Sequence, residues 1–114
     1  MNGRASPFEP DVWVIEASGR LDATQAPALE IALQEAMTRG RYRLLINLEQ
    51  ARCLSSNGLK ALLIARRKAR AHGGDLAFCC IPPRIREVLE ITGLARIFAI
   101  YESEEEAAKA STCA

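Results

Sequence analysis

A chain of 114 residues, 49% apolar and 25% charged, has the size and make-up of one globular domain with its own core. Its formal net charge of +1 gives no general electrostatic drive toward nucleic acid or an anionic membrane. No apolar run approaches the roughly 18 residues of a membrane span, Met1 to Pro7 lack the apolar stretch of a signal peptide, and the four cysteines, 53, 79, 80 and 113, show neither CxxC spacing nor a secreted disulfide framework, so the expected setting is a reducing cytoplasm.

Residues 1–10 are polar and carry Pro7 and Pro10, which predicts a flexible arm with at most a short edge strand around Ala5–Glu9. The domain proper is expected over 11–110. Val12 to Ala17 is β-branched and aromatic-rich, a strand ended by Ser18-Gly19. A helix follows from about Thr24 to Arg39. Its inward stripe is Ala26, Leu29, Leu33, Ala36 and Met37, Pro27 fits in its first turn, and Gly40 stops it. Ile31 lies off that stripe, which predicts an exposed apolar side chain of the ordinary, isolated kind.

Tyr42 to Leu48 is a second strand, and the unbroken Leu44-Leu45-Ile46 predicts burial on both faces. A helix is expected from Gly58 to His72, with Leu59, Leu62, Leu63 and Ala69 inward. Arg66, Arg67, Lys68 and Arg70 gather toward its C-terminal end, where positive charge suits the dipole. Leu76 to Ile81 is a third buried strand. Pro82-Pro83 breaks it and opens a helix carrying Ile85, Val88 and Leu89, closed by Gly93. Ile97 to Tyr101 is the last strand, and Ser103 with Glu106 forms a capping box for a terminal helix. The alternation of strand and helix argues an α/β sheet with parallel neighbours.

The stretch Cys53-Leu54-Ser55-Ser56-Asn57-Gly58-Leu59 lies at a strand-to-helix junction. Ser and Asn there suit a helix N-terminus, where their side chains accept hydrogen bonds from free first-turn N–H groups. The same junction is electropositive, so the domain would tolerate a phosphate on one serine while its binding surface changed. On the residues alone, Ser56 reads as a helix cap or as such a modification site.

Ser55-Ser56-Asn57-Gly58-Leu59, about thirty residues after Gly19-Arg20-Leu21-Asp22, resembles the STAS domain of bacterial anti-sigma-factor antagonists. Gly73-Gly74 and Leu89-Glu90-Ile91-Thr92-Gly93-Leu94 extend the resemblance over roughly Trp13 to Ala107. It implies a single STAS-like α/β domain, with a mixed, mostly parallel sheet of four to five strands packed with about four helices. Matching on the glycine, the resemblance puts Ser56 on the serine that the family's partner kinase phosphorylates, with Ser55 a possible second acceptor. Ser55 and Asn47 stand where many members carry Asp, which makes the local field less negative. The implied partner-binding set is Asp22, Thr24, Asn47, Ser55, Asn57, Gly58 and Leu59, with Asp22 equally readable as a helix-start residue.

The function implied is an anti-sigma-factor antagonist. Its unphosphorylated form would bind a serine kinase-type anti-sigma factor and release the target, and a serine phosphatase would reset it. ATP and Mg²⁺ would belong to the kinase, so no cofactor is expected of this chain. A STAS accessory subunit of a transport or lipid-trafficking complex, docked constitutively on an ATPase, is the alternative. Cys79-Cys80 reads as small core residues on opposite faces of a strand rather than a metal or redox pair. Nor is nucleic-acid binding or membrane insertion expected. A serine hydrolase needs a base beside its nucleophile, yet the lone His72 ends the helix that Ser56 begins, about 20 Å away by helical rise. With no Walker or Gly-rich nucleotide loop either, the chain reads as no enzyme.

Overall fold

In a computed structural model, which describes residues 1–112, the strands and helices that the sequence pattern predicts are present, with two further short strands between them. Strand β1 (Asn2–Ala5) is followed by β2 (Trp13–Glu16), β3 (Gly19–Leu21), helix α1 (Ala26–Thr38), β4 (Arg43–Asn47), β5 (Ala51–Leu54) and α2 (Ser56–Ala71). Then come β6 (Asp75–Cys79), α3 (Pro83–Ile91), a 3-10 turn (Leu94–Arg96), β7 (Ala99–Tyr101) and α4 (Glu104–Thr112). Five strands form one sheet in the order β1-β2-β4-β6-β7, with β1 antiparallel and the remaining pairs parallel. The other two, β3 and β5, pair in parallel as a separate small sheet.

The unbroken apolar runs of β4 and β6 are explained by two cores. Ile15, Leu44, Ile46, Leu76 and Phe78 point to one face, where Leu29 and Leu33 of α1, Leu62 of α2 and Leu89 of α3 close over them. Val14, Leu45 and Cys79 point to the other face, under Ala107 of α4. Alternate residues of each strand are therefore buried on opposite sides, as a parallel sheet covered on both faces requires. The inward stripe expected for α1 is buried at Ala26, Leu29, Leu33 and Ala36, with Met37 half-buried at its edge. Ile31 is 58% exposed.

Several boundaries differ from expectation: the last strand is Ala99–Tyr101 rather than Ile97–Tyr101, because a 3-10 turn precedes it, and α1 starts at Ala26 rather than Thr24. The edge strand is Asn2–Ala5 rather than Ala5–Glu9, because Ser6 turns the chain. Its N–H donates to the Val12 carbonyl at 2.8 Å and its hydroxyl accepts the N–H of Phe8 at 3.2 Å. Strand β6 stops at Cys79, because Cys80 takes the left-handed conformation with φ 57°. Helix α2 starts at Ser56, two residues before Gly58. At the terminal helix the Ser103 hydroxyl accepts the Glu106 N–H at 3.1 Å, as a capping residue should, and Glu106 returns to the N–H of Glu102 at 3.1 Å.

Candidate functional site

Two short strands build the site. β3 and β5 run parallel, with Arg20 opposite Cys53 and Leu21 opposite Leu54. The ladder continues one residue further, where the Ser55 N–H donates to the Leu21 carbonyl at 3.0 Å. The Ser55 hydroxyl donates to the same oxygen, also at 3.0 Å. This pairing sets the residue after Leu21, Asp22, beside the N-terminus of α2, although the two are far apart in sequence. Neither strand exceeds four residues or alternates cleanly, so periodicity alone gave no sign of them.

Ser55 occupies the cap position of α2 with extended backbone, φ −90° and ψ 175°, but its side chain caps nothing. The expected hydrogen bond from a first-turn N–H to a Ser or Asn side chain is not formed, since the Ser55 oxygen is turned back toward Leu21. Ser56 is the first helical residue and is exposed, as is Asn57. The first turn carries no acidic residue, so unpaired N–H groups and the helix dipole leave this end electropositive. Gly58 is buried against the loop. A Cβ placed there would lie 2.6 Å from the Leu21 carbonyl oxygen and 2.9 Å from Cδ1 of Leu54, so glycine is needed for close approach of the backbone.

Asp22 serves the start of α1 and also shows at the surface. Its Oδ1 accepts the Thr24 N–H at 3.0 Å, and its carbonyl accepts from Gln25 and Ala26 at 3.1 and 2.7 Å. The other carboxylate oxygen lies 3.4 Å from Nε of Arg20, and the side chain is 29% exposed. Thr24 is exposed beside it. Asp22, Thr24, Ser55, Ser56 and Asn57 thus gather at one end of the fold.

Two residues of the expected partner-binding set face inward instead. Leu59 belongs to the main core, 9% exposed. Asn47 is buried at the end of β4, where Nδ2 donates to Oε2 of Glu104 at 2.8 Å and Oδ1 accepts the Glu49 N–H at 2.9 Å. Glu104 is also held by Nη1 and Nη2 of Arg4 at 3.0 and 2.7 Å. That guanidinium, aided by the Asn47 amide, holds the carboxyl below the usual carboxylate range against the opposing effect of burial. Sequence position alone could not show that Glu104, far along the chain, supplies Asn47 with its partner.

The cysteines do not straddle the sheet as expected. Because Cys80 leaves the strand through a left-handed turn, it packs against the same small core as buried Cys79. Burial pushes both thiols up, and a thiol so held is a weak nucleophile. Cys53 is half-buried, and Cys113 lies outside the described residues. No group of three or more His, Cys, Asp or Glu converges among the described residues. The His72 ring stacks on Tyr42 at 4.2 Å between centroids, and its Nδ1 lies 2.9 Å from the Lys68 carbonyl. It sits past the far end of α2, whose 16 residues rise about 24 Å from the Ser56 end. No helix among the described residues is long and apolar enough to cross a membrane.

The whole arrangement has counterparts. Residues 5–107 match the STAS domain family. The chain is 34% identical over 92 residues to BtrV of Bordetella bronchiseptica, whose name makes it a candidate anti-sigma factor antagonist; the match covers 81% of this chain and 79% of that one. It is 27% identical over 97 residues to the anti-sigma F factor antagonist of Paenibacillus polymyxa, with 84% and 83% covered. The crystal structure of an anti-sigma factor antagonist from Mycobacterium paratuberculosis superimposes with a TM-score of 0.82 at 28% identity, covering 96% of this chain and 90% of that one. Sequence and fold agree, and the chain belongs to the STAS domain family, alongside the bacterial anti-sigma-factor antagonists.

Proposed function

We propose that this chain is an anti-sigma-factor antagonist that works as a phosphorylation-switched binding module. Its unphosphorylated form binds a serine kinase-type anti-sigma factor through the Ser55–Gly58 junction, the first part of α2 and the Asp22–Thr24 loop. Binding releases the protein which that kinase restrains. Phosphate on Ser56 frees the kinase, and a serine phosphatase restores the bound state. ATP and Mg²⁺ are the kinase's own. The chain itself acts by occupying a surface, not by turnover.

One observation carries the reading. Of two adjacent serines at the helix mouth, Ser55 commits its hydroxyl to the Leu21 carbonyl, whereas the Ser56 side chain is exposed and has no hydrogen-bond partner among the described residues. A phosphate on Ser56 enters solvent at an electropositive helix end, so the domain stays folded. In a closed interface the same two negative charges must be desolvated or repelled. A loss of about 4 kcal/mol lowers affinity roughly a thousandfold, enough to dissolve a complex.

The test is to incubate the chain with ATP, Mg²⁺ and each serine kinase-type anti-sigma factor of the same genome, then measure intact mass. One added phosphate, absent from Ser56→Ala, is expected, together with loss of kinase binding by Ser56→Asp. Phosphate incorporated by Ser56→Ala sinks the assignment of the acceptor. Tight docking on an ATPase that Ser56→Asp leaves unchanged replaces the switch by a constitutive subunit.

A further inference from the structure

Ser56 is the first member of a longer exposed stripe. Lys60, Ile64 and Arg67 follow it at i+4, i+8 and i+11, so all four share one side of α2, and all are exposed. The helix carries five basic residues and no acidic one. Arg66 and Arg70 turn to Asp75 at 3.5 and 4.0 Å, but Lys60, Arg67 and Lys68 have no ion-pair partner among the described residues. In the middle of these cations stands Ile64, 45% exposed. Beside it α1 and α2 leave a cavity of about 210 Å³, floored by Leu33, Met37 and Ala61, with Glu30 on the α1 lip and Lys68 on the α2 lip.

We propose that this ridge and the groove beside it form a second contact for the partner that reads Ser56, and that they take an amphipathic acidic helix of that partner. The proposal rests on the reading of Ser56 as the switch. An apolar side chain of the incoming helix seats against Ile64 between α1 and α2, while its carboxylates lie over Lys60, Arg67 and Lys68. Glu30 fixes the orientation, since it repels the acidic edge toward α2. Three cations gathered without an ion-pair partner among the described residues or an acid on their helix are left to pair with an outside anion. The apolar centre and groove fit a protein helix better than a nucleic-acid backbone, which needs no such pocket.

This surface also extends the reach of the phosphate. Ser56 and Lys60 are one turn apart on the same stripe, about 6 Å between Cβ atoms. A phosphate brings a charge of about −1.5 to −2, draws Lys60 to itself and offsets about half to two thirds of the ridge's positive charge. The acidic helix then loses a cation and meets an anion.

The test uses the kinase that phosphorylates the chain. Its affinity is measured for wild type, Lys60→Glu/Arg67→Glu, Ile64→Ala and Ser56→Asp, at low and high salt, with thermal melts showing that each variant is folded. The double reversal is expected to weaken binding at least about tenfold at low salt and to remove most of the salt dependence. Ile64→Ala is expected to cost roughly fivefold with the salt dependence intact. If both bind like wild type while Ser56→Asp does not bind, the ridge is overturned and the switch stands. If Ser56→Asp also binds like wild type, or no kinase engages the chain, both fall. If a labelled single-stranded RNA binds wild type and is lost on the double reversal, the ridge belongs to nucleic acid and the proposal is overturned.

Discussion

The carbonyl oxygen of Leu21 accepts both the N–H and the hydroxyl of Ser55, each at 3.0 Å. One acceptor therefore ties the Asp22 loop to the mouth of α2 and fixes which of two neighbouring serines is free. Ser55→Ala removes one donor but leaves the carbonyl satisfied by the N–H, so the cost should be only about 1 kcal/mol. A fall in melting temperature of roughly 4 °C is expected for a domain of this size. Phosphate incorporation at Ser56 should persist in this variant. Its loss would move the acceptor to Ser55.

Gly58 tests the same contact from the helix side. In an exposed helix interior, Gly→Ala adds about 1 kcal/mol of stability. Here the new methyl would sit 2.6 Å from the Leu21 oxygen and 2.9 Å from Leu54, so backbone must move. Gly58→Ala should destabilise by about 2 kcal/mol instead, read as a lower urea midpoint with unchanged slope. Amide exchange should quicken first at Ser55, whose N–H bridges the two segments. A stabilised variant would show that the loop is not pinned by this approach.

Most of the architecture was legible because it rests on pattern. Apolar spacing located α1 and α2, and the run Leu44-Leu45-Ile46 announced a strand buried on both faces. The site was legible in its residues but not in its construction. Gly19–Leu21 and Ala51–Leu54 are too short for periodicity to mark, yet their pairing brings Asp22 to Ser55. Ser56 reads as a possible cap of α2, but it is the first helical residue; the cap position falls to Ser55, whose hydroxyl is taken by a carbonyl from a distant strand. Asn47 lies near the loop in sequence, while the sheet turns it inward; Leu59 is buried as its place on the inward stripe of α2 predicts. Cys79 and Cys80 share a side because one residue takes φ 57°, a conformation that alternation cannot foresee.

Glu104 links stability to pH. Arg4 on β1 grips it with both Nη atoms, and it is 14% exposed. Because its folded carboxyl is held below the unfolded value, the stability it contributes is complete at neutral pH and is lost as pH falls through the carboxylate range. Glu104→Gln keeps the shape and an acceptor for Asn47 but loses the charge-assisted pair. It should cost about 1–2 kcal/mol at neutral pH, discounted because Arg4 is 39% exposed. The difference from wild type should shrink in acid. Parallel stability curves from pH 7 down to about pH 3 would rule out this linkage.

Asn47→Asp turns that linkage over. The amide now donates to Oε2 of Glu104 at 2.8 Å, and a carboxylate in its place would set two acidic groups at hydrogen-bond distance in a buried corner. Arg4 can offset only part of that repulsion, since it is shared with Glu16 at 2.9 Å. The introduced carboxylate and Glu104 would together hold a proton more tightly folded than unfolded, so stability should fall as pH rises. We expect a loss of about 2 kcal/mol at neutral pH that recovers toward pH 5, the opposite of the wild-type trend, in which the Glu104 contribution is lost in acid. Adding Glu104→Gln to Asn47→Asp should restore much of the stability, because one carboxylate of the pair is removed while Arg4 keeps the other in reach. If the double variant is no more stable than Asn47→Asp alone, the two side chains are not coupled. A rescued double variant would instead show that Glu104 already supplies the acid of this corner and that the amide at position 47 is there to donate to it.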